Sequence, residues 1–136
     1  MQTILFACVH NAGRSQMARA WFDHLADPTL ARALSAGTRP AANVQPNVVA
    51  VMAEVGIDVA GFVPQKLTPE LCEGVSRLVT MGCGDECPNV PGMIIEDWPL
   101  PDPKGRDLAD VRATRDAIRD RVASWLATHG LARNTR

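Results

Sequence analysis

The stretch TILFACVHNAGRSQ, residues 3–16, decides the fold, because it joins a strand pattern to a helix pattern through a short loop. The run Thr3–Ala7 is short and largely apolar, as expected of a buried strand. The loop that follows contains Gly13. From Ser15 to Leu25 apolar residues recur at helical spacing, on Met17, Ala18, Trp21, Phe22 and Leu25. This order predicts the opening of a β-α-β unit.

Further strand and helix patterns alternate along the rest of the chain. Three more apolar runs predict strands, at Ala33–Ala36, Arg77–Met81 and Ile94–Ile95. Two more helices are predicted, at Val44–Val55 and Leu108–Leu126. Alternation of this kind predicts an α/β fold: a three-layer sandwich with a central parallel sheet of about four strands. In such a sheet, ligands bind at the carboxyl ends of the strands.

Length and composition limit the possible classes of protein. A chain of 136 residues that is 46% hydrophobic predicts a single domain, residues 1–136. The formal net charge of -1 gives no basic surface for nucleic acid, and neither a signal peptide nor an apolar run of membrane length is visible. We therefore expect a cytoplasmic protein with no nucleic-acid or membrane partner. Because both faces of the predicted sheet are covered, a monomer is the default expectation.

Cys8 stands at the carboxyl end of the first predicted strand, where the active site is expected. The amides of a loop that enters a helix N-terminus can surround a tetrahedral oxyanion, and an arginine adds a planar fork of donors. The predicted oxyanion-binding residues are Val9, His10, Asn11, Ala12, Gly13 and Arg14. The same positive field favours a thiolate, so Cys8 is the predicted nucleophile.

Two polar residues are predicted to support this loop. Ser15 is expected to donate its hydroxyl to the Cys8 sulfur, and Asn11 to fix the loop by bonding its backbone. The alternative interpretation is a buried cysteine at a strand end and an unrelated surface arginine. The strand, loop and helix context, with glycine and serine at fitting positions, favours the nucleophile.

The spacing Cys8-x5-Arg14-Ser15 resembles the anion-binding loop of low-molecular-weight protein tyrosine phosphatases. The longer string CVHNAGRSQMA is more similar to the arsenate reductases built on that fold. The similarity covers nearly the whole chain and includes SAGT at 35–38, GID at 56–58, VTMGCGDECP at 79–88, DWPLPDPKG at 97–105 and VRATRDAIRDRV at 111–122. The resemblance implies a low-molecular-weight tyrosine phosphatase-like fold and an arsenate substrate, with phosphate or sulfate as mimics.

The resemblance also implies that Asp102, followed by Pro103, is the general acid. When a thiolate displaces an oxygen from arsenate or a phosphate ester, that oxygen has to be protonated as it departs, and a nearby carboxylic acid can do this. Pro103 would fix the backbone that presents the acid. From the residues alone, an Asp-Pro pair that merely forms a turn is an equal alternative.

The cluster CGDEC separates a reductase from a phosphatase, because reduction of arsenate requires two electrons for each arsenic atom. Cys83 and Cys87 are the predicted second and third thiols of a thiol-disulfide relay, which thioredoxin would regenerate. Two alternatives stay open for this pair: half of a zinc site, or inert buried thiols. No second closely spaced Cys/His pair supports zinc. Cys72, on a predicted helix, is given no role.

Some positions depart from the family pattern. The two late cysteines are closer together than in the thioredoxin-coupled reductases. Arg19 stands where some members carry a glutamate that binds potassium, and its fixed charge could replace the cation, so no potassium is expected. We assign no other metal and no cofactor. The chain has no tyrosine, and Lys104 and Gly105 follow Pro103, which favours a small oxyanion over a phenyl ring.

We predict an arsenate reductase of the thioredoxin-coupled type, with a detoxification role. The alternatives are a tyrosine phosphatase, a reductase that uses a low-molecular-weight thiol with a glutaredoxin-like partner, and an oxyanion-binding or redox-sensing module.

Overall fold

A parallel sheet of four strands forms the centre of the protein, whose computed structural model describes residues 1–82 and 91–133. The strands are β1 (Gln2–Cys8), β2 (Ala31–Gly37), β3 (Arg77–Thr80) and β4 (Ile95–Asp97). Their spatial order is β2-β1-β3-β4, and every neighbouring pair is parallel. The predicted α/β class with a parallel sheet of about four strands is therefore confirmed.

The strand order places a switch point beside β1. The chain leaves β1 toward β2 on one side and later returns to β3 on the other side. In register, Phe6 lies between Ser35 and Val79, and Cys8 pairs with Gly37. The connections diverge at the carboxyl ends of β1 and β3, so a crevice is expected there.

One face of the sheet is covered by α1 (Arg14–Leu25), α2 (Pro46–Glu54) and α3 (Leu108–His129). Alternate residues of β1, Ile4, Phe6 and Cys8, point to this face and join a continuous core with all three helices. The largest helical contributors to this core are Met17, Trp21, Phe22, Met52, Ile118, Trp125 and Leu126. None of these described helices is long and apolar enough to cross a membrane.

Within residues 1–82 and 91–133, the other face is covered by turns and by no helix. Leu67, Leu71 and Val75 pack against Leu5, Leu78 and their neighbours in a smaller core. The helix predicted around Cys72 is wrong: after Pro69 the chain makes consecutive hydrogen-bonded turns, from Cys72 to Pro69 and from Glu73 to Glu70, and reaches Gly74, which has a φ of 77°. Too few residues separate the proline from this left-handed glycine for a helix to propagate.

The helix boundaries differ from the predicted ones for local reasons. Helix α2 begins at Pro46 and not at Val44, because proline is suited to the first helical position. Helix α3 continues three residues beyond Leu126 and ends at Gly130, whose φ of 67° forms a left-handed C-cap. Its first turn is capped by the Asp107 side chain, which accepts a hydrogen bond from the Asp110 amide. These local features set where α2 and α3 begin and where α3 ends.

Candidate active site

The loop after β1 turns its carbonyl groups away from its centre. The carbonyl oxygens of Cys8, Val9, His10 and Ala12 accept hydrogen bonds from amides of residues 38–45, at 2.8–3.3 Å. No amide of residues 9–14 donates a hydrogen bond to another residue within 1–82 or 91–133. The loop amides are thus left for an anion, as in other backbone anion sites beside a helix N-terminus.

A chain of hydrogen bonds leads from Asn11 to the Cys8 sulfur. Asn11 Nδ2 donates to Ser15 Oγ over 2.8 Å, and Ser15 Oγ lies 2.9 Å from Cys8 Sγ. The serine oxygen accepts this hydrogen bond, and its hydroxyl can donate to the sulfur when the sulfur carries no proton of its own. All three side chains are buried. A hydroxyl that donates to sulfur stabilises a thiolate more than a thiol.

Asn11 is held in an unusual backbone conformation. Its φ is 51°, in the left-handed region that asparagine tolerates better than most residues. Its Oδ1 accepts from the Gln65 amide at 3.0 Å, and Gln16 Nε2 donates to its carbonyl oxygen at 2.9 Å. The Asn11 side chain therefore bonds Ser15 and a distant loop, and not the backbone of its own loop as predicted.

Gln16 and Gln65 were missed by sequence reasoning. Gln16 is almost fully buried in the first turn of α1, and Gln65 reaches Asn11 from 54 residues away. Gln16 follows the signature Arg14-Ser15 directly, so its position was a weak signal. Nothing local marks Gln65, because its contact exists only once the two segments are packed together.

Arg14 links the loop to the ends of two other strands. Its Nη1 donates to the carbonyl oxygen of Met81, just after β3, at 2.7 Å, and to that of Leu100 at 3.1 Å. The side chain is buried. Among the described residues both hydrogen bonds use Nη1, so the Nε and Nη2 edge remains for a planar contact with an oxyanion.

Asp102 lies beside this guanidinium. Its Oδ2 is 4.0 Å from Arg14 Nη2, and the side chain is 44% exposed, so the carboxyl can reach both solvent and the loop. Its Oδ1 accepts from the Lys104 amide at 3.0 Å, which fixes the orientation of the carboxyl group. The fold thus brings the predicted acid to the predicted anion loop.

Pro103 makes the direct contact between the acid segment and the loop. A Cβ atom added to Gly13 would lie 2.6 Å from Pro103 Cγ, so only glycine allows this approach. Gly37 serves the same purpose beneath the loop, where an added Cβ would lie 2.6 Å from the carbonyl oxygen of Val9. Two glycines therefore allow the loop to be enclosed from both sides.

The predicted relay residues Cys83 and Cys87 lie outside the described residues. The described segment ends at Gly82, whose amide donates to Asp97 Oδ1 at 3.0 Å. Cys72 is distant from the loop on the other face of the sheet, where it packs with Leu5 and Leu78. Burial raises the pKa of the Cys72 thiol, which keeps it protonated at neutral pH.

Arg19 and the potential metal ligands of the described residues lie outside the anion loop. Arg19 forms an ion pair with Asp23 at 3.6 Å, and its guanidinium lies over the Phe62 ring at 4.0 Å. Within residues 1–82 and 91–133, no group of three or more His, Cys, Asp and Glu side chains could hold a metal ion. An open cleft of about 340 Å³ adjoins the loop and is lined by His10, Ala12, Gln45 and Lys104, among others.

The sequence and the structure both match known proteins. The family model for low molecular weight phosphotyrosine protein phosphatases matches residues 3–136. A putative arsenate reductase of Halobacterium salinarum is 37% identical over 123 residues, which are 86% of this chain and 85% of that protein. A glutaredoxin arsenate reductase of Synechocystis sp. is 32% identical over 130 residues, with 93% and 98% covered.

Among solved structures, a thioredoxin-dependent arsenate reductase of Corynebacterium glutamicum superposes with a TM-score of 0.79 and 34% identity. The alignment covers 94% of this chain, but this chain spans only 61% of that one.

Proposed function

We propose that this chain reduces arsenate to arsenite at the Cys8 loop and serves in arsenic detoxification. The chain belongs to the low molecular weight phosphotyrosine protein phosphatase family. The observation that carries the proposal is the hydrogen-bonded chain Asn11–Ser15–Cys8 inside a loop whose carbonyls face outward. The similar proteins named arsenate reductases support the choice of substrate.

In the first step the Cys8 thiolate attacks arsenic. A sulfur–arsenic bond forms, one arsenic–oxygen bond breaks, and Asp102 protonates the oxygen so that it leaves as water. The loop amides and the Nε and Nη2 edge of Arg14 stabilise the charge on the remaining oxygens. Ser15 holds the thiolate through its hydroxyl until the sulfur–arsenic bond has formed.

In the second step a further thiolate attacks the Cys8 sulfur. A disulfide forms, the sulfur–arsenic bond breaks, and its electron pair stays on arsenic, which leaves as arsenite. Two thiols are thereby oxidised and arsenic gains two electrons. We assign this attack to Cys83 and the transfer of the disulfide to Cys87, on the basis of their place after β3 in the sequence.

Thioredoxin is the proposed electron donor, and it would return the disulfide to two thiols. The similar thioredoxin-dependent enzyme supports this donor. A low-molecular-weight thiol with a glutaredoxin-like partner is the competing donor, since one relative is named a glutaredoxin arsenate reductase.

Phosphate-ester hydrolysis is the second candidate function. Cys8 is the only thiol at this edge of the sheet among residues 1–82 and 91–133, and a phosphatase needs only one. The loop, Arg14 and Asp102 would serve a phosphocysteine intermediate equally well, with water in place of the second thiol.

The deciding experiment follows arsenate-dependent NADPH oxidation with thioredoxin and thioredoxin reductase. We expect sustained oxidation by the wild type, none by Cys8→Ser, and a normal rate for Cys72→Ser, the matched buried cysteine on the other face. Cys87→Ser should stop after one turnover.

Each other outcome points to one alternative. If arsenate were reduced only with glutathione and glutaredoxin, these would replace thioredoxin as the proposed donor. If the protein hydrolysed an aryl phosphate but did not reduce arsenate, and if Cys83→Ser and Cys87→Ser kept this hydrolysis, the proposed function would be that of a phosphatase.

A further inference from the structure

We propose that Asn47 is a positioning residue for the acid: it fastens the Asp102–Pro103 turn to helix α2 and thereby sets the distance from the carboxyl group to the anion loop. This inference rests on the proposed function, in which Asp102 protonates the departing oxygen. It concerns a residue that lies outside the anion loop and the acid turn.

The contact itself is a single hydrogen bond between distant parts of the chain. Asn47 Nδ2 donates to the carbonyl oxygen of Pro103 over 2.9 Å, across 56 residues. The same carbonyl accepts from the Arg106 amide at 3.1 Å, while Arg106 Nε donates to the carbonyl of Asp102 at 2.9 Å. The Arg106 bonds close the turn on itself, and Asn47 is the side chain that ties this closed turn to helix α2.

The helix that carries Asn47 is joined to the anion loop as well. The Gln45 amide, at the N-cap of α2, donates to the carbonyl of Ala12 at 2.9 Å. Two residues later Asn47 holds Pro103. The first turn of α2 therefore bonds both the loop and the acid turn, and a rigid helical turn keeps the two at one separation.

The buried amide oxygen of Asn47 argues against an incidental contact. Its Oδ1 is buried and has no hydrogen-bond partner among the described residues. An unpaired buried amide oxygen costs stability, which an apolar side chain of similar size would avoid. The amide is explained if its Nδ2 is required to hold Pro103.

Catalysis by a positioned acid is sensitive to small displacements, because the carboxyl proton must lie within hydrogen-bond reach of the departing oxygen. Without the Asn47 bond, the contacts that hold the turn to the loop among the described residues would be that of Pro103 with Gly13 and the 4.0 Å ion pair of Asp102 with Arg14. The carboxyl would then spend less time at the productive distance. The anion-binding amides and Arg14 would be unaffected, so substrate binding should change little.

The test compares Asn47→Ala, Asp102→Asn and the double variant in arsenate reduction, with thermal melting to verify folding. We expect Asn47→Ala to lower kcat about tenfold with KM for arsenate nearly unchanged. The double variant should be no slower than Asp102→Asn alone, because Asn47 acts through Asp102. If Asn47→Ala folds poorly, Asn47→Asp replaces it in the test. This variant keeps the side-chain volume but lacks the Nδ2 donor, and it should show the same loss of kcat.

Glu54→Gln is the matched control, because it loosens the opposite end of α2 by weakening its ion pairs with Arg112 and Arg115. It should leave kcat unchanged. The proposal would be overturned if the kcat losses of the two single variants multiplied in the double variant. It would also be overturned if Glu54→Gln lost as much kcat as Asn47→Ala.

A wild type that does not reduce arsenate would refute the reductase but not the positioning role. In that case Asn47→Ala should slow hydrolysis of phenyl phosphate, whose leaving group needs an acid, far more than that of 2,4-dinitrophenyl phosphate. An equal effect on both esters, or no turnover of either by the wild type, would overturn the role of Asn47.

Discussion

Ser15 is in direct hydrogen-bond contact with the proposed nucleophile, Cys8. Its oxygen accepts a hydrogen bond from the Asn11 side-chain amide, and its hydroxyl can donate to a Cys8 thiolate, which has no proton of its own. A hydrogen bond to a charged partner contributes more than one between neutral groups, roughly 1.5–3 kcal/mol. In the proposed reaction, this hydroxyl would donate to the attacking sulfur of Cys8.

Ser15→Ala should slow the alkylation of Cys8 by iodoacetamide at pH 7 about tenfold or more, since the thiolate loses its only side-chain donor among the described residues. Mass spectrometry of the Cys8 peptide would measure the rate separately from the other cysteines. Ser124→Ala, at an exposed position of α3, is the control and should have no effect. An unchanged rate in Ser15→Ala would show that the serine does not stabilise the thiolate.

At the scale of elements, the site depends on close approach between the start of α1 and the Asp102–Pro103 turn. Gly13 is the N-cap of α1, and the space beside its Cα is limited. The obstacle is Pro103 Cγ, 2.6 Å from the position of an added Cβ. A methyl group at this point has to displace the turn that carries the acid.

Gly13→Ala should lower kcat for arsenate reduction by about 10²-fold, because the acid would be displaced by about an ångström. The matched control is Gly61→Ala, where an added Cβ meets nothing within 4 Å. Steady-state kinetics and circular dichroism on both variants would separate displacement from misfolding. Wild-type kcat in Gly13→Ala would mean that the turn is not held against the loop.

At the scale of the whole molecule, Glu54 joins α2 to α3. Arg112 donates to both of its carboxylate oxygens, and Arg115 Nη1 donates to Oε1 at 2.9 Å. The hydrogen bonds from Arg112, helped by Arg115 and opposed by partial desolvation, lower the pKa of Glu54 from 4.5 to about 2. Because the folded-state pKa lies below the unfolded one, this stabilisation is present above about pH 4.5 and is lost as the pH falls toward 2.

The melting temperature of Glu54→Gln should accordingly lie below that of the wild type at pH 7, and the difference should shrink as the pH is lowered through this window. Differential scanning calorimetry at several pH values would measure it. Glu70→Gln, an exposed glutamate on the other side of the sheet, removes the same charge and serves as the control. A difference between Glu54→Gln and wild type that persisted at pH 2 would contradict the assignment.

Much of this molecule is predictable from local patterns. The strand from Thr3, the helix from Ser15 and the long helix from Leu108 were predicted because each carries its own periodicity and boundary residues. The resemblance read from the Cys8 to Ser15 spacing is confirmed by the family match over residues 3–136. The roles of the site residues, the single domain, the monomer and the electron donor remain predictions.

The sequence by itself determined the order of strands and helices and the presence of a cysteine, an amide-rich loop and an arginine in one short stretch. These depend on neighbours along the chain. Only the tertiary structure decided that Gln65 supports Asn11, that Met81 and Leu100 hold Arg14, and that Asn47 holds Pro103. Each of these contacts joins segments more than 50 residues apart, so no local preference encodes it; it exists because the parallel strand order brings those segments to the same edge of the sheet.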